Sequence, residues 1–183
     1  MCLLINTCKN YFSNISSLIV NLNQSKFPKE NILIVSGQED EYSVSYIDGI
    51  KVVKVIYTAL HLTACVYIYE NMYQFDTIKY WVLLPDTIKF GPSFFDKLMS
   101  YYDIYLKNKE EYSLSFINPL LRPSMDMGII HTKHLFNMSN YLNKMKTYVN
   151  IEKNIQEVYI VLLDLYKYQR NFSGPKTKPV LTL

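Results

Sequence analysis

The chain has 183 residues, of which 49% are hydrophobic and 19% charged, with 17 Tyr and 9 Phe. That composition excludes a disordered chain, and the length suffices to bury about 70% of the unfolded surface in one core, so a single domain over 1–183 is predicted, with its core at 28–170 and a flexible tail at 171–183. A formal net charge of +3 with scattered basic residues gives no footprint for nucleic acid, although it favours an anionic small molecule weakly.

The N-terminal MCLLINTCKNYF has an apolar run of four residues and no leading basic cluster, so it is not read as a signal peptide. Cys2, Cys8 and Cys65 are odd in number and lack CxxC spacing. Neither a disulfide framework nor a zinc site is predicted, and reduced thiols in the cytoplasm are expected. No segment reaches the roughly 20 apolar residues needed to span a bilayer.

A first helix is predicted over 11–25, with Ser13 as its cap and Ile15, Leu18, Ile19 and Leu22 on one face. The β-branched run 31–37 ends in Ser36-Gly37, as a central parallel strand does where it meets a ligand-binding loop, and the loop 38–41 follows with three acids. Asp48-Gly49 within 44–57 predicts a tight hairpin, because both turn positions favour positive φ. A helix is expected over 58–71, capped by Thr58.

The most informative stretch is YWVLLPDTIKFGPSFFDKL, 80–98, where a buried strand at 80–84 runs into Asp86-Thr87 and then Gly91-Pro92. A carboxylate at the carboxyl end of such a strand can hold a metal ion or a sugar hydroxyl, or it can close a side-chain-to-backbone turn with Thr87. A helix at 94–102, strands at 113–117 and 125–130, and helices at 131–145 and 151–170 complete the reading. The strand ends at Ser36-Gly37-Gln38, Asp86-Thr87 and 124–128 are expected to meet at one edge of a doubly wound sheet. Trp81, Tyr80, Phe94 and Phe95 are read chiefly as core.

The succession ILIVSGQED, the Asp48-Gly49 hairpin, TALHLTACVYIYEN, YWVLLPDTIKFGPSFF and SMDMGIIHTKHL, spanning 31–136, resembles small glycosyltransferases of the GT-A fold, particularly those of large DNA viruses and some bacteria. The resemblance implies a single-domain α/β fold with a mixed, mostly parallel, Rossmann-like sheet flanked by helices. It implies a nucleotide-sugar donor, a glycan or other hydroxyl acceptor, Mn²⁺ or Mg²⁺ as cofactor, and the host cytoplasm as the site of a viral member. Carried over residue by residue, Ser36, Gly37 and Gln38 would lie beside the base and ribose, and Asp86 would hold the metal on the donor diphosphate. His131, or alternatively His134, would assist that metal, and Thr87, Arg122 and Gly128 would complete the substrate contacts.

Asp126 would act as the general base, removing the acceptor hydroxyl's proton. The alternatives are that Asp126 binds acceptor hydroxyls or pairs with Arg122, and that His131 or His134 caps a helix. Pro85 stands where this family often has an acid or histidine, and His61-Leu62 lacks a common Asp. A non-catalytic relative that keeps the sheet as a binding or scaffold module is the competing function.

Overall fold

The computed structural model describes residues 1–108, 114–117 and 123–146. Among them, seven strands form one sheet: β1 (Cys2–Cys8), β2 (Ile32–Gly37), β3 (Ser43–Ile47), β4 (Ile50–Lys54), β5 (Tyr80–Pro85), β6 (Leu114–Ile117) and β7 (Pro123–His131). Their order is β3-β4-β2-β1-β5-β7-β6. Strands β4, β2, β1 and β5 run parallel, whereas β3 and β7 are antiparallel to their neighbours β4 and β5.

The centre of the sheet is the one strand the sequence reading leaves out. β1 pairs with β2 on one side, Leu3 opposite Ile32, and with β5 on the other, Cys2 opposite Trp81. Its four apolar residues Cys2–Ile5 are all buried. So short a run carries no period of its own; it becomes a strand because two longer apolar strands flank it and helices cover both faces.

Helices lie on both sides of the sheet. Leu18, Ile19 and Leu22 of α1 (Ile15–Gln24) and Leu98 of α3 (Phe94–Tyr101) pack with Leu3, Ile5, Ile34, Val52, Val82 and Leu84 on one face. On the other face Ala64, Cys65, Val66 and Ile68 of α2 (Thr63–Glu70) meet Leu4, Leu33, Val35, Val53 and Leu83. Leu135 of α4 (Thr132–Asn137) and Leu142 of α5 (Ser139–Met145) join that second layer. Alternate strand residues supply the two layers, as the period of two requires.

Several boundaries move for local reasons. α1 begins at Ile15, after a 3₁₀ stretch over Lys9–Asn14, and no side chain of Asn14 caps it. α2 begins five residues later than expected, where the Thr63 hydroxyl accepts the Ala59 N–H at 2.9 Å. The helix expected at 131–145 breaks at Met138, and His131 belongs to β7; its Nδ1 accepts the Lys133 N–H at 3.1 Å and so caps α4. The hairpin forms at Asp48-Gly49 with φ of 51° and 82°. Lys29 and Asn23 bind the Asp48 carboxylate and hold its pKa below the ordinary value. The helix read at 151–170 and the tail lie outside the described residues, in which no helix is long and apolar enough to cross a membrane.

The thiols differ in reactivity by burial. Burial pushes Cys65 up to about 12 and raises Cys2 as well, whereas Cys8 is half-buried. Because the thiolate is the nucleophile, brief alkylation of the native protein at pH 8, read by peptide mass spectrometry, is expected to label Cys8 well before Cys65. Equal labelling of the two would contradict the packing around α2.

Candidate functional site

Each of the four parallel strands exchanges apolar for polar residues at the same level. Register sets Lys54 of β4 opposite Ser36 of β2, and Ser36 opposite Thr7 of β1; Asn6 pairs with Pro85, which brings Asp86 alongside Thr7. Lys54, Ser36, Thr7 and Asp86 therefore form a row across the carboxyl edge, on the α1 side of the sheet, with neighbouring backbones about 4.8 Å apart. The chain passes from β1 to β2 and β4 on one side, then returns across β1 to β5 on the other. That reversal beside β1 is a topological switch point, where open α/β sheets present ligand-binding crevices.

Asp86 is half-buried, and its Oδ2 accepts the Thr7 hydroxyl at 2.5 Å. Thr7 is its one hydrogen-bond partner among the described residues. The turn after β5 is closed by backbone, Ile88 N–H to Pro85 carbonyl at 3.4 Å, so the carboxylate is used across strands and not for a local turn. Ser36 is fully buried and donates to Glu39 Oε1 at 2.5 Å, while Glu39 Oε2 lies 3.5 Å from Lys54 Nζ. Lys54 Nζ sits 4.2 Å over the Phe12 ring. Next to this row, Lys9 Nζ meets both carboxylate oxygens of Asp40 at 2.6 Å.

On the opposite face of the edge, Asn6 Oδ1 accepts the Ala64 N–H at 2.9 Å, tying β1 to the first turn of α2. Gly37 lies against that turn. A Cβ there would stand 2.9 Å from Thr63 Cγ2 and 3.1 Å from the Tyr57 carbonyl oxygen, so close packing requires glycine. Gln38 has φ of 60°, a left-handed conformation uncommon for a side-chain-bearing residue, and its N–H bonds the Tyr57 carbonyl at 3.1 Å. Thr87 is exposed just past Asp86.

Ser36, Gly37, Gln38, Asp86 and Thr87 thus share one edge. Strand β7 is antiparallel to β5, with its start toward this edge: Gly128 pairs with Leu83, and Asp126 lies two residues further along β7 in that direction. Two candidates do not fit. Gly128 is buried inside the sheet, paired with Leu83 on one side and Ser115 on the other, so its backbone belongs to the ladder and not to a binding surface. His131 pairs with Tyr80, the first residue of β5, at the end of that strand opposite Asp86. Six residues of strand place the two backbones roughly 20 Å apart, too far for one ion to touch both side chains. Arg122 lies outside the described residues.

Thr7, Asn6 and Lys9 are the site residues the sequence reading misses, and Lys54 joins them as an end-of-strand residue of the hairpin. A signal exists in retrospect: CLLI-Asn-Thr changes from apolar to polar just as ILIV-Ser-Gly and WVLLP-Asp-Thr do. The aromatic residues behave as core, Tyr80 and Trp81 at 0% exposure and Phe94 at 6%.

Among the described residues no group of three or more His, Cys, Asp or Glu side chains is placed to hold a metal ion. Asp86 remains as a single half-buried carboxylate, which suits a hard cation that keeps several waters and takes its remaining ligands from phosphate oxygens. The fold defines an α/β protein whose mixed sheet is flanked by helices, with a polar row at its switch point. No family model matches the chain, and no curated protein matches it in sequence.

Proposed function

We propose that this chain binds a nucleotide-sugar at the carboxyl edge of its sheet and transfers the sugar to a hydroxyl acceptor. The observation that carries the reading is the Asp86–Thr7 contact at the switch point, in register with Ser36 and Lys54. Ser36, Gly37 and Gln38 border the base and ribose in this reading, and Thr87 contacts the donor beyond Asp86. Asp86 would hold Mn²⁺ or Mg²⁺, which when bound offsets the negative charge developing on the departing diphosphate.

The chain's own residues do the rest. Thr7 donates to Oδ2 of Asp86 and so fixes the carboxylate's orientation. Asp126, two residues before Gly128 on β7, is the proposed base that takes the acceptor hydroxyl's proton as the oxygen attacks the anomeric carbon. Tight packing at Gly37 keeps the β2 terminus and α2 in fixed relation, so the donor contacts stand on rigid elements.

Calorimetric titration of UDP-, GDP- and CMP-sugars with and without Mn²⁺, on wild type and Asp86→Asn, tests the reading. One donor is expected to bind with metal-dependent affinity, and Asp86→Asn is expected to weaken it by about tenfold or more while keeping the fold, because the amide oxygen still accepts from Thr7. Donor binding that ignores both metal and Asp86 would remove the metal-assisted mechanism. Absence of binding by every donor would favour a scaffold role for the sheet.

A further inference from the structure

Two lysines flank the polar row, and each is held by an acid of the same short loop. Lys9 is the first residue after β1, and its ammonium lies 2.6 Å from both oxygens of Asp40. Lys54 closes β4, 3.5 Å from Glu39. The loop is aimed by the left-handed Gln38 and by backbone bonds from Gln38 N–H to Tyr57 carbonyl and from Glu39 N–H to Val55 carbonyl, at 3.1 and 3.0 Å.

The two acids are not equivalent. The Glu39 side chain is 8% exposed and is also held by the Ser36 hydroxyl, so it is built into the edge. The Asp40 side chain is 83% exposed, and Lys9, itself 46% exposed, holds it. An exposed ion pair of this kind is weak and readily exchanged for another anion. A carboxylate with both oxygens on an ammonium presents the charge and acceptor atoms that a phosphate would present there.

We infer that Lys9 is a phosphate-binding residue of this edge and that Asp40 covers it in the ligand-free chain, leaving when a diphosphate arrives. The inference rests on reading the carboxyl edge as a nucleotide-diphosphate site. Asp40 then acts as an internal competitor, lowering affinity for free phosphates.

The test is calorimetric titration of UDP and inorganic pyrophosphate into wild type, Asp40→Asn, Lys9→Met, the Lys9→Met/Asp40→Asn double variant and Asp48→Asn. Asp48 is paired with Lys29 at the hairpin, so Asp48→Asn changes net charge equally without touching Lys9. Asp40→Asn is expected to tighten both ligands roughly three- to tenfold at low salt, and Lys9→Met to weaken them by at least as much. The double variant should match Lys9→Met, and Asp48→Asn should match wild type. Unchanged affinity in Asp40→Asn, or an equal gain in Asp48→Asn, overturns the inference. If pyrophosphate responds to Asp40→Asn while no nucleotide-sugar binds, the phosphate site stands and the transferase reading falls. If donors bind but ignore Lys9, the reverse holds; if neither probe binds any variant, both fall.

Discussion

A chain lacking residues 1–8 is expected to show no cooperative unfolding transition. Those residues contain β1, the strand that joins the β3-β4-β2 half of the sheet to the β5-β7-β6 half. Leu3, Leu4 and Ile5 are each at 0% exposure, Leu4 in the layer under α2 and the other two in the layer under α1 and α3. Removing them opens both apolar layers at once and leaves the inner edges of β2 and β5 unpaired, with their N–H and C=O groups facing no partner. Losses of this kind exceed the roughly 5–15 kcal/mol by which domains are stable. Urea titration followed by circular dichroism checks it; a soluble truncated chain with a sharp transition would mean that β2 and β5 can close on each other. Leu4→Ala is the graded version and should cost about 3 kcal/mol.

The second large effect is expected at Trp81. Its side chain is at 0% exposure, meets Phe75 edge to face at 5.3 Å, and donates from Nε1 to Thr132 Oγ1 at 3.1 Å. The Thr132 hydroxyl in turn donates to the Ile78 carbonyl, so the indole joins β5, the start of α4 and the loop before β5. Trp81→Ala removes the ring and the hydrogen bond together and should destabilise the protein by about 4 kcal/mol. Trp81→Phe keeps an aromatic ring against Phe75 and should cost about 1–2 kcal/mol, since the Thr132 hydroxyl still has its carbonyl acceptor. Trp81 is the only tryptophan, so the comparison is read by circular dichroism and not by fluorescence. Similar losses in the two variants would show that the hydrogen bond, and not the ring volume, carries the site.

What the amino-acid sequence determined by itself is whatever a few adjacent residues can enforce. Asp48-Gly49 makes its hairpin because two successive positive φ angles suit those residues. Strands β2 and β5 follow from β-branched or apolar runs long enough to be unambiguous, and Asp86 could be placed at a strand end because the apolar run stops just before Asp86-Thr87 and Gly91-Pro92 follows.

The tertiary structure alone decided the rest, because pairing between distant strands assigns both place and partner. Four apolar residues became the central strand β1 through neighbours 29 and 79 positions away, and with it came the Thr7 hydroxyl that Asp86 binds. Antiparallel pairing of β7 with β5 carries His131 to the end of β5 opposite Asp86, although the start of β7 lies toward the carboxyl edge. One turn of chain direction separates a shared site from an unrelated one, and chain direction is set by which strand edge remains open when β7 arrives.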